Sequence, residues 1–548
     1  MIHYPTDRHR AAAAALLPVL LLPAAAAQNP AALVEDRITE SSLAGPIRFL
    51  SSDELEGRGV GTRGDLLARR YIASQFEQFG LEPAGPDGGW EQRVPILGIL
   101  SKVVQTLAAT GDKGVASFTA PEEFTAVAGS PQKGARWRDA ELVFVGYGIA
   151  APEQNWDDYK GADVRGKVLL FLNNDPSGDP DLFAGRTRLY YGRWSYKYEE
   201  AARRGAIGAI VIHTKESAGY PWQVVQQNHG RENFWLPFEP GEPTIGIRSW
   251  CTQGAAKRIC ALAGRDLDEL SASAEKRDFE PVPLGVRVSL EIENELRELE
   301  SANVLGKITG SDPRLRDEVV VATAHFDHLG RAALAKNGDD ICNGALDNAT
   351  GCSALINLAM AVKALPRPPR RTLLFLAVTA EESGLLGSLW YSRNPTYPKR
   401  RIVADFNIDG LSIWGETRDL EFVGYGKSTL TDLARTVAER RGKRIEPDGN
   451  PDLGLFYRSD HFSFARIGVP SAYFKSGKDF LDRPEERRRM KASYTALHYH
   501  QVTDEMAPWW NLRGAAEDVK LILECMLRVA NSDRAPSWTA GDEFEKLR

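Results

Sequence analysis

The chain has 548 residues, 43% of them hydrophobic and 26% charged, with a formal net charge of −6 at pH 7. That is enough apolar sequence to bury a large core in more than one compact unit. The balance lacks the basic excess of a nucleic-acid binder, so no nucleic-acid partner is expected.

At the amino terminus, Arg8, His9 and Arg10 precede an apolar run that ends in Ala24 to Ala27 before Gln28. This is the order of a charged n-region, an h-region and a small-residue cleavage site. Residues 1–27 are therefore read as a signal peptide cut after Ala27, with the protein exported to the periplasm or secreted. The alternative is an uncleaved anchor. Pro18 and Pro23 interrupt the run, however, and it falls short of the ~20 residues a span needs, so no stable membrane insertion is expected after cleavage. No cysteine follows the cut to carry a lipid.

Residues 28–140 form the first stretch. Leu66, Tyr71, Ile72, Phe76 and Phe79 recur at helical spacing and Gly80 closes the pattern, which predicts a helix. The preceding E-G-R-G-V-G-T-R-G looks superficially like a phosphate loop. It has no strand before it and no Lys-Ser/Thr ending, so it reads as a plain loop.

Residues 141–292 change character. Strand-like runs such as L-V-F-V-G-Y-G-I, K-V-L-L-F-L and A-I-G-A-I-V-I-H alternate with loops and with the helix-like Y-K-Y-E-E-A-A-R-R-G, predicting a smaller inserted α/β domain. His213 and His229 are isolated there and read as structural. The cysteines, Cys251, Cys260, Cys342, Cys352 and Cys525, are odd in number and too few for a disulfide framework. Cys342 and Cys352 are the better-placed pair, but free, packed cysteines are expected.

Residues 293–548 read as a wound α/β sheet, mostly parallel or mixed, flanked by helices. V-V-V-A-T-A, T-L-L-F-L-A-V-T-A and I-V-A-D-F-N-I-D are short apolar runs typical of strands buried on both faces, with helix-like segments after Asp347, Gly384 and Lys427. Function in such folds gathers beyond the carboxyl ends of the strands. His325 follows the first run, Glu381 and Glu382 the second, and Asp409 ends the third. With Asp347 and His500 they form an ordered set of metal-ligand types.

Amide hydrolysis by water needs a nucleophile at neutral pH and a polarised carbonyl, which a pair of divalent ions about 3.5 to 4 Å apart can supply. Mixed histidine and carboxylate donors suit zinc, and a carboxylate can bridge two ions. Asp327 is placed to orient His325. Of Glu381 and Glu382, one suffices as a ligand, leaving the other to take a proton from the attacking water and pass it to the leaving amine.

This ordered set resembles the co-catalytic zinc exopeptidases of the M28 type. The likeness extends to F-L-S-S-D-E-L-E-G-R-G-V-G-T near the start and to Y-R-S-D-H-F-S-F-A-R-I-G-V-P. The middle stretch, with V-F-V-G-Y-G-I and D-V-R-G-K-V, is similar to the protease-associated insert of many members. The resemblance implies a zinc-exopeptidase-like fold holding two Zn²⁺ per chain. His325 and Asp409 would hold one ion, Glu382 and His500 the other, and Asp347 would bridge them, with Glu381 as general base and acid. His500 is preferred to His498 because the family histidine lies four residues before an aspartate, here Asp504. The family also implies a cis peptide between Asp347 and Asn348 and an oxyanion donor just before S-D-H, either Tyr457 or a residue at the place of Phe456. Leu346 stands where many relatives carry an acid. His461 reads as structural.

Peptides are the implied substrates, and the leading expectation is an aminopeptidase acting on free amino termini. The alternatives are a glutamate-carboxypeptidase-like enzyme on the same scaffold, with Arg458, Arg466 or Arg331 holding a substrate carboxylate, and a catalytically inactive binding protein. The sequence does not fix the oligomeric state.

Overall fold

The computed structural model describes Met1 and residues 29–179, 182–226, 229–336 and 338–548. Residues 2–27 of the expected signal peptide lie outside the described residues. None of the described helices is long and apolar enough to cross a membrane.

The apolar runs of the carboxyl half become the strands Val319–His325, Thr372–Val378 and Ile402–Asn407, every residue of which is buried. Val319–His325 lies between the other two and is parallel to both, with His325 opposite Val378. Ser471–Ser476 continues the parallel set beyond Ile402–Asn407. Asp419–Val423 is antiparallel to Ser471–Ser476, making the sheet mixed. Alternate side chains feed two cores. Val320, Ala322 and Ala324 join the helices Glu40–Leu50, Thr350–Lys363 and Arg513–Asn531 on one face. Val319 and Val321 meet Tyr391 and Phe464 on the other. Strands covered on both faces must be apolar throughout, which is why the sequence runs there do not alternate. Because the central strands are parallel, their carboxyl ends open on one edge of the sheet.

The predicted amino-terminal helix forms as Arg63–Gln78, capped by the Thr62 hydroxyl, which accepts from Asp65 N–H. The helices expected after Asp347, Gly384 and Lys427 form as Thr350–Lys363, Leu386–Arg393 and Leu430–Arg440.

A second pair of cores surrounds the parallel strands Val168–Leu172, Gly208–His213 and Ile247–Thr252. The run L-V-F-V-G-Y-G-I is strand only as far as Phe144, because Gly146 and Gly148 turn with φ of 57° and 60°. Ile99, Leu107, Phe118 and Phe124 join this second core well before residue 141. The reason is a long antiparallel ribbon in which Glu91–Gly111 pairs with Val282–Ile308 from Arg287 opposite Thr110 to Val304 opposite Glu91. One end of Val282–Ile308 buries Val288 and Ile292 in the second core, and the other buries Val304 and Ile308 in the first. All five cysteines are free and buried, with Cys251 on a strand and Cys260 on the helix that follows it.

Candidate metal centre

His325 is the last residue of its strand, Glu381 lies three residues beyond Val378, and Asp409 lies two beyond Asn407. The shared edge of parallel strands thus brings three distant segments together. Asp347 arrives on the turn Ala345–Ala349 that opens the next helix. Gly344 starts this turn at φ 58°, and a Cβ there would lie 2.2 Å from the Asp347 carbonyl oxygen and 2.6 Å from the His328 ring, so no other residue fits. The Asp347–Asn348 peptide is cis, as the resemblance implies. Asn348 ties the turn to the Asp409 segment, its amide donating to Ile408 O at 3.0 Å and its oxygen accepting from Gly410 N–H at 3.0 Å.

The two oxygens of Asp347 face two different histidines. Oδ1 lies 3.2 Å from His325 Nε2 and Oδ2 lies 3.1 Å from His500 Nε2. Asp409 Oδ1 is 3.5 Å from the same His325 nitrogen, and Glu382 Oε2 is 3.2 Å from the same His500 nitrogen. Four donors placed tetrahedrally at zinc-ligand distances of about 2.0 to 2.1 Å lie roughly 3.3 Å from one another. The four separations match that edge length, in two groups sharing Asp347. His325, Asp347 and Asp409 converge closely enough to hold one metal ion, and Asp347 and Glu382 belong to a second such cluster, here with His328.

The electrostatics also call for cations. Burial works against a charged His500, yet Glu382 and Asp347 outweigh it and push its pKa up to about 10. Burial likewise opposes protonation of His325, but Glu381 and the surrounding carboxylates raise it well above the usual histidine value. Glu382 falls to about 2 despite burial and the Asp347 charge, because His500 and His328 favour its ionised form. Buried acids that draw protons onto both histidines would draw a divalent ion more strongly, so the donor set fits two zinc ions.

Neighbouring groups hold each of these side chains. His325 Nδ1–H donates to the Asp327 backbone oxygen at 3.2 Å, leaving Nε2 for the site. The Asp327 carboxylate, expected to orient that imidazole, lies 3.7 Å from its Nδ1 through Oδ1 and also accepts the Glu381 and Glu382 N–H groups at 3.0 and 3.3 Å, so it fixes the glutamate pair as well. Ser459 donates to Asp409 Oδ2 at 2.6 Å. Cys352 donates its S–H to the His325 carbonyl. The Glu381 side chain makes no hydrogen bond or ion pair with any described residue. Burial, then the Asp409, Glu382 and Asp460 charges, raise its pKa well above the usual value against the pull of His325.

Several contributors escape sequence reasoning. His328, three residues after His325, is buried and meets Glu382 Oε1 through Nδ1 at 2.8 Å, so Glu382 lies between two histidines. Tyr499 stacks on His500 with ring centroids 3.9 Å apart. The glycine-rich opening supplies Arg58, fully buried, whose guanidinium donates to the carbonyls of Leu50, Phe326, Asn343 and Gly344 and so braces both the His325 and Asp347 segments. That role explains the loop without any phosphate.

Other expected residues go elsewhere. The Tyr457 hydroxyl donates to Glu543 Oε1 at 2.5 Å inside an aromatic cluster and makes no hydrogen bond to any of the five candidate ligands. The sequence places it near Ser459, but its hydroxyl direction is set by the carboxyl-terminal segment. Phe456 packs in the same cluster. His461 is fully buried between the Phe456 and Tyr473 rings, in agreement with a structural role. His498 Nδ1 meets Thr503, not the site. Arg331 is paired with Asp340, and Arg466 lies over the Tyr190 and Phe462 rings.

The chain is 29% identical over 210 residues to aminopeptidase YwaD of Bacillus subtilis (strain 168), covering 35% of this chain and 43% of the relative. It is 22% identical over 320 residues to carboxypeptidase Q of Pongo abelii, covering 57% and 55%. The alignments therefore span about half or less of these relatives' lengths. The solved structure of the aminopeptidase from Aneurinibacillus sp. strain AM-1 has the same fold, with a TM-score of 0.52 at 20% identity over 91% of this chain and 96% of that one. Residues 303–522 match the model of peptidase family M28, and this segment, which is similar to that family, contains His325, Asp347, Glu381, Glu382, Asp409 and His500.

Proposed function

We propose that the protein is an exported dizinc aminopeptidase. The observation that carries this reading is Asp347, whose two carboxylate oxygens each face one histidine of a separate donor set. His325 and Asp409 would hold one zinc, His500 and Glu382 the other, and Asp347 both. Zinc supplies there a Lewis acid that polarises the scissile carbonyl and lowers the pKa of water. Glu381, whose side chain has no hydrogen-bond or ion-pair partner among the described residues, accepts the proton of the attacking water and returns it to the leaving amine. His328 keeps Glu382 oriented, and Asp327 keeps the two glutamates apart. We read residues from about Glu91 to the end of the ribbon as the protease-associated insert, earlier than residue 141 because the second core begins with Ile99. A carboxypeptidase on the same scaffold is the second reading, favoured by the likeness to carboxypeptidase Q.

Elemental analysis of the dialysed protein, together with zinc titration against turnover of a free dipeptide, tests the first reading. Two zinc ions per chain with activity rising to the second equivalent is expected. Full activity at one ion overturns the two-metal site.

A further inference from the structure

Residues 532–548 leave the helix Arg513–Asn531 and fold back across the catalytic body as a strap. Its backbone is pinned at two points, where Thr429 N–H donates to Ser537 O at 2.9 Å and Thr539 N–H donates to Lys427 O at 2.8 Å. Trp538 and Phe544 are its buried anchors, and Trp538 Nε1–H donates to Gly468 O at 2.9 Å. Between them, Asp542 and Glu543 lie 3.0 and 2.8 Å from the Lys427 ammonium. Chain termini are poorly ordered unless tied down, and here each tie is directed at one region of the catalytic body.

Two lines of contact run from the strap to Asp409. Along the first, Glu543 accepts the Tyr457 hydroxyl at 2.5 Å, two residues before Ser459. The Ser459 hydroxyl accepts from Asn407 Nδ2 at 2.7 Å and donates to Asp409 Oδ2 at 2.6 Å. The second line is built of rings. Phe544 stacks on Phe456 with centroids 5.6 Å apart, Phe456 meets His461 edge-on at 4.8 Å, and His461 lies 5.1 Å from Tyr473. The Tyr473 hydroxyl then donates to the Asp409 backbone oxygen at 3.1 Å. One line ends on the carboxylate and the other on the carbonyl of the same residue. With Oδ2 held by Ser459, Oδ1 is the oxygen that faces His325 Nε2. Close-packed interiors transmit strain, because they hold little free volume to absorb a displacement.

We propose that Phe544 and Glu543 are positioning residues for the metal centre, the strap clamping Phe456, Tyr457 and His461 so that Ser459 and Tyr473 hold the Asp409 carboxylate toward His325. The proposal rests on the two-zinc reading for what Asp409 binds. Packed contact alone does not establish energetic coupling, so the test must measure it directly.

Zinc affinity is measured by chelator competition on the full chain in four forms: wild type, Phe544→Ala, Ser459→Ala with Tyr473→Phe, and all three substitutions together. Phe544→Ala is expected to weaken one zinc ion by about tenfold or more, the effect typical of losing an outer partner of a ligand, and to leave the other unchanged. In the background lacking both hydroxyls the strap has nothing to act through. There Phe544→Ala is expected to leave zinc affinity unchanged while still lowering the unfolding temperature. Glu543→Gln, expected to weaken the same ion, replaces Phe544→Ala in the cycle if that variant does not fold. Zinc affinity that the strap substitution leaves untouched overturns the proposal. So does a loss of equal size in both backgrounds, which marks general loosening of the fold. A wild type that saturates at one ion overturns the two-zinc reading instead, and the same cycle still decides on the strap, since His325, Asp347 and Asp409 form one cluster of their own.

Discussion

Asp504 holds Asp347 from behind. Its Oδ2 accepts the Asp347 N–H at 3.2 Å and its Oδ1 accepts the Leu346 N–H at 2.9 Å, while its own carbonyl accepts from Ala345 N–H at 3.0 Å. Tyr494 donates to the same carboxylate at 2.5 Å. The short loop from His500 to Asp504 therefore carries a candidate ligand histidine at one end and the clamp on the proposed bridging aspartate at the other. Asp504→Ala should weaken zinc binding by about 10- to 100-fold, the effect typical of losing an outer partner, with turnover largely recovered at saturating zinc. Competition against a chelator measures the first, and a zinc-supplemented assay the second. Unchanged affinity would mean that the cis turn holds Asp347 without help.

Glu381→Gln keeps the shape of the side chain but cannot accept a proton. Turnover should fall by at least about 10²-fold while zinc content stays near two per chain. Asp347→Asn should lose metal as well as rate, because an amide offers only one ligating oxygen to a bridge that needs two. If Glu381→Gln retained most of its activity, the base would have to be sought in another residue.

The contrast between these residues explains what was legible in the sequence. His325, Glu381, Glu382 and Asp409 announce themselves because each follows an apolar run that can only be a buried parallel strand, and parallel strands end together. Asp504 entered the reading only as a spacing mark, since its partners are backbone N–H groups 157 and 158 residues away. His328 was in plain view three residues after His325, but nothing local says that it turns toward Glu382. The ribbon was hidden for another reason: Val94 and Ile96 alternate as a strand should, but Pro95 argues against one. The place before Ser459 points to Tyr457, yet its hydroxyl is claimed by Glu543, 86 residues on.

Tyr457→Phe accordingly tests a structural role. Removing the hydroxyl leaves Glu543 still paired with Lys427 at 2.8 Å, so the stability loss should be about 1 kcal/mol, that of one hydrogen bond, with kcat/KM within a few-fold of the wild type. Thermal unfolding and steady-state kinetics on the same preparation separate the two effects. A hundredfold fall in kcat with normal stability would return Tyr457 to the reaction as an oxyanion donor.

His461 sets an acid limit on the fold. Burial lowers its pKa to about 3 against a smaller pull from the Phe456 backbone, and neither ring nitrogen makes a well-formed hydrogen bond with a described residue. Between about pH 3 and the unfolded value near 6.5, the unfolded chain binds a proton that the folded chain refuses, so stability rises with pH there and is lost on acidification. The residue's contribution is complete above 6.5 and declines by about 1.4 kcal/mol per unit below it. Urea unfolding of the wild type and His461→Phe at pH 7 and pH 5 should show the wild type losing roughly 2 kcal/mol more than the variant. Equal losses would mean that His461 takes its proton in the folded state.

Substrate polarity follows from which charges the site leaves free. A free α-amine needs a carboxylate beside the zincs, and Glu381 is an acid there whose side chain makes no hydrogen bond or ion pair with any described residue. A carboxypeptidase needs cations at the reacting bond, yet Arg331 is paired with Asp340 and Arg466 lies against the Tyr190 and Phe462 rings. Acetylating the amino terminus of a short peptide should therefore abolish cleavage, because it removes the charge that the acidic centre recognises. Amidating the carboxyl terminus should at most raise KM and leave kcat intact. Chromatographic assay of the free, acetylated and amidated forms of one tripeptide decides between the readings. Cleavage that survives acetylation and fails on amidation would make the enzyme a carboxypeptidase while leaving the assignment of the metal ligands untouched.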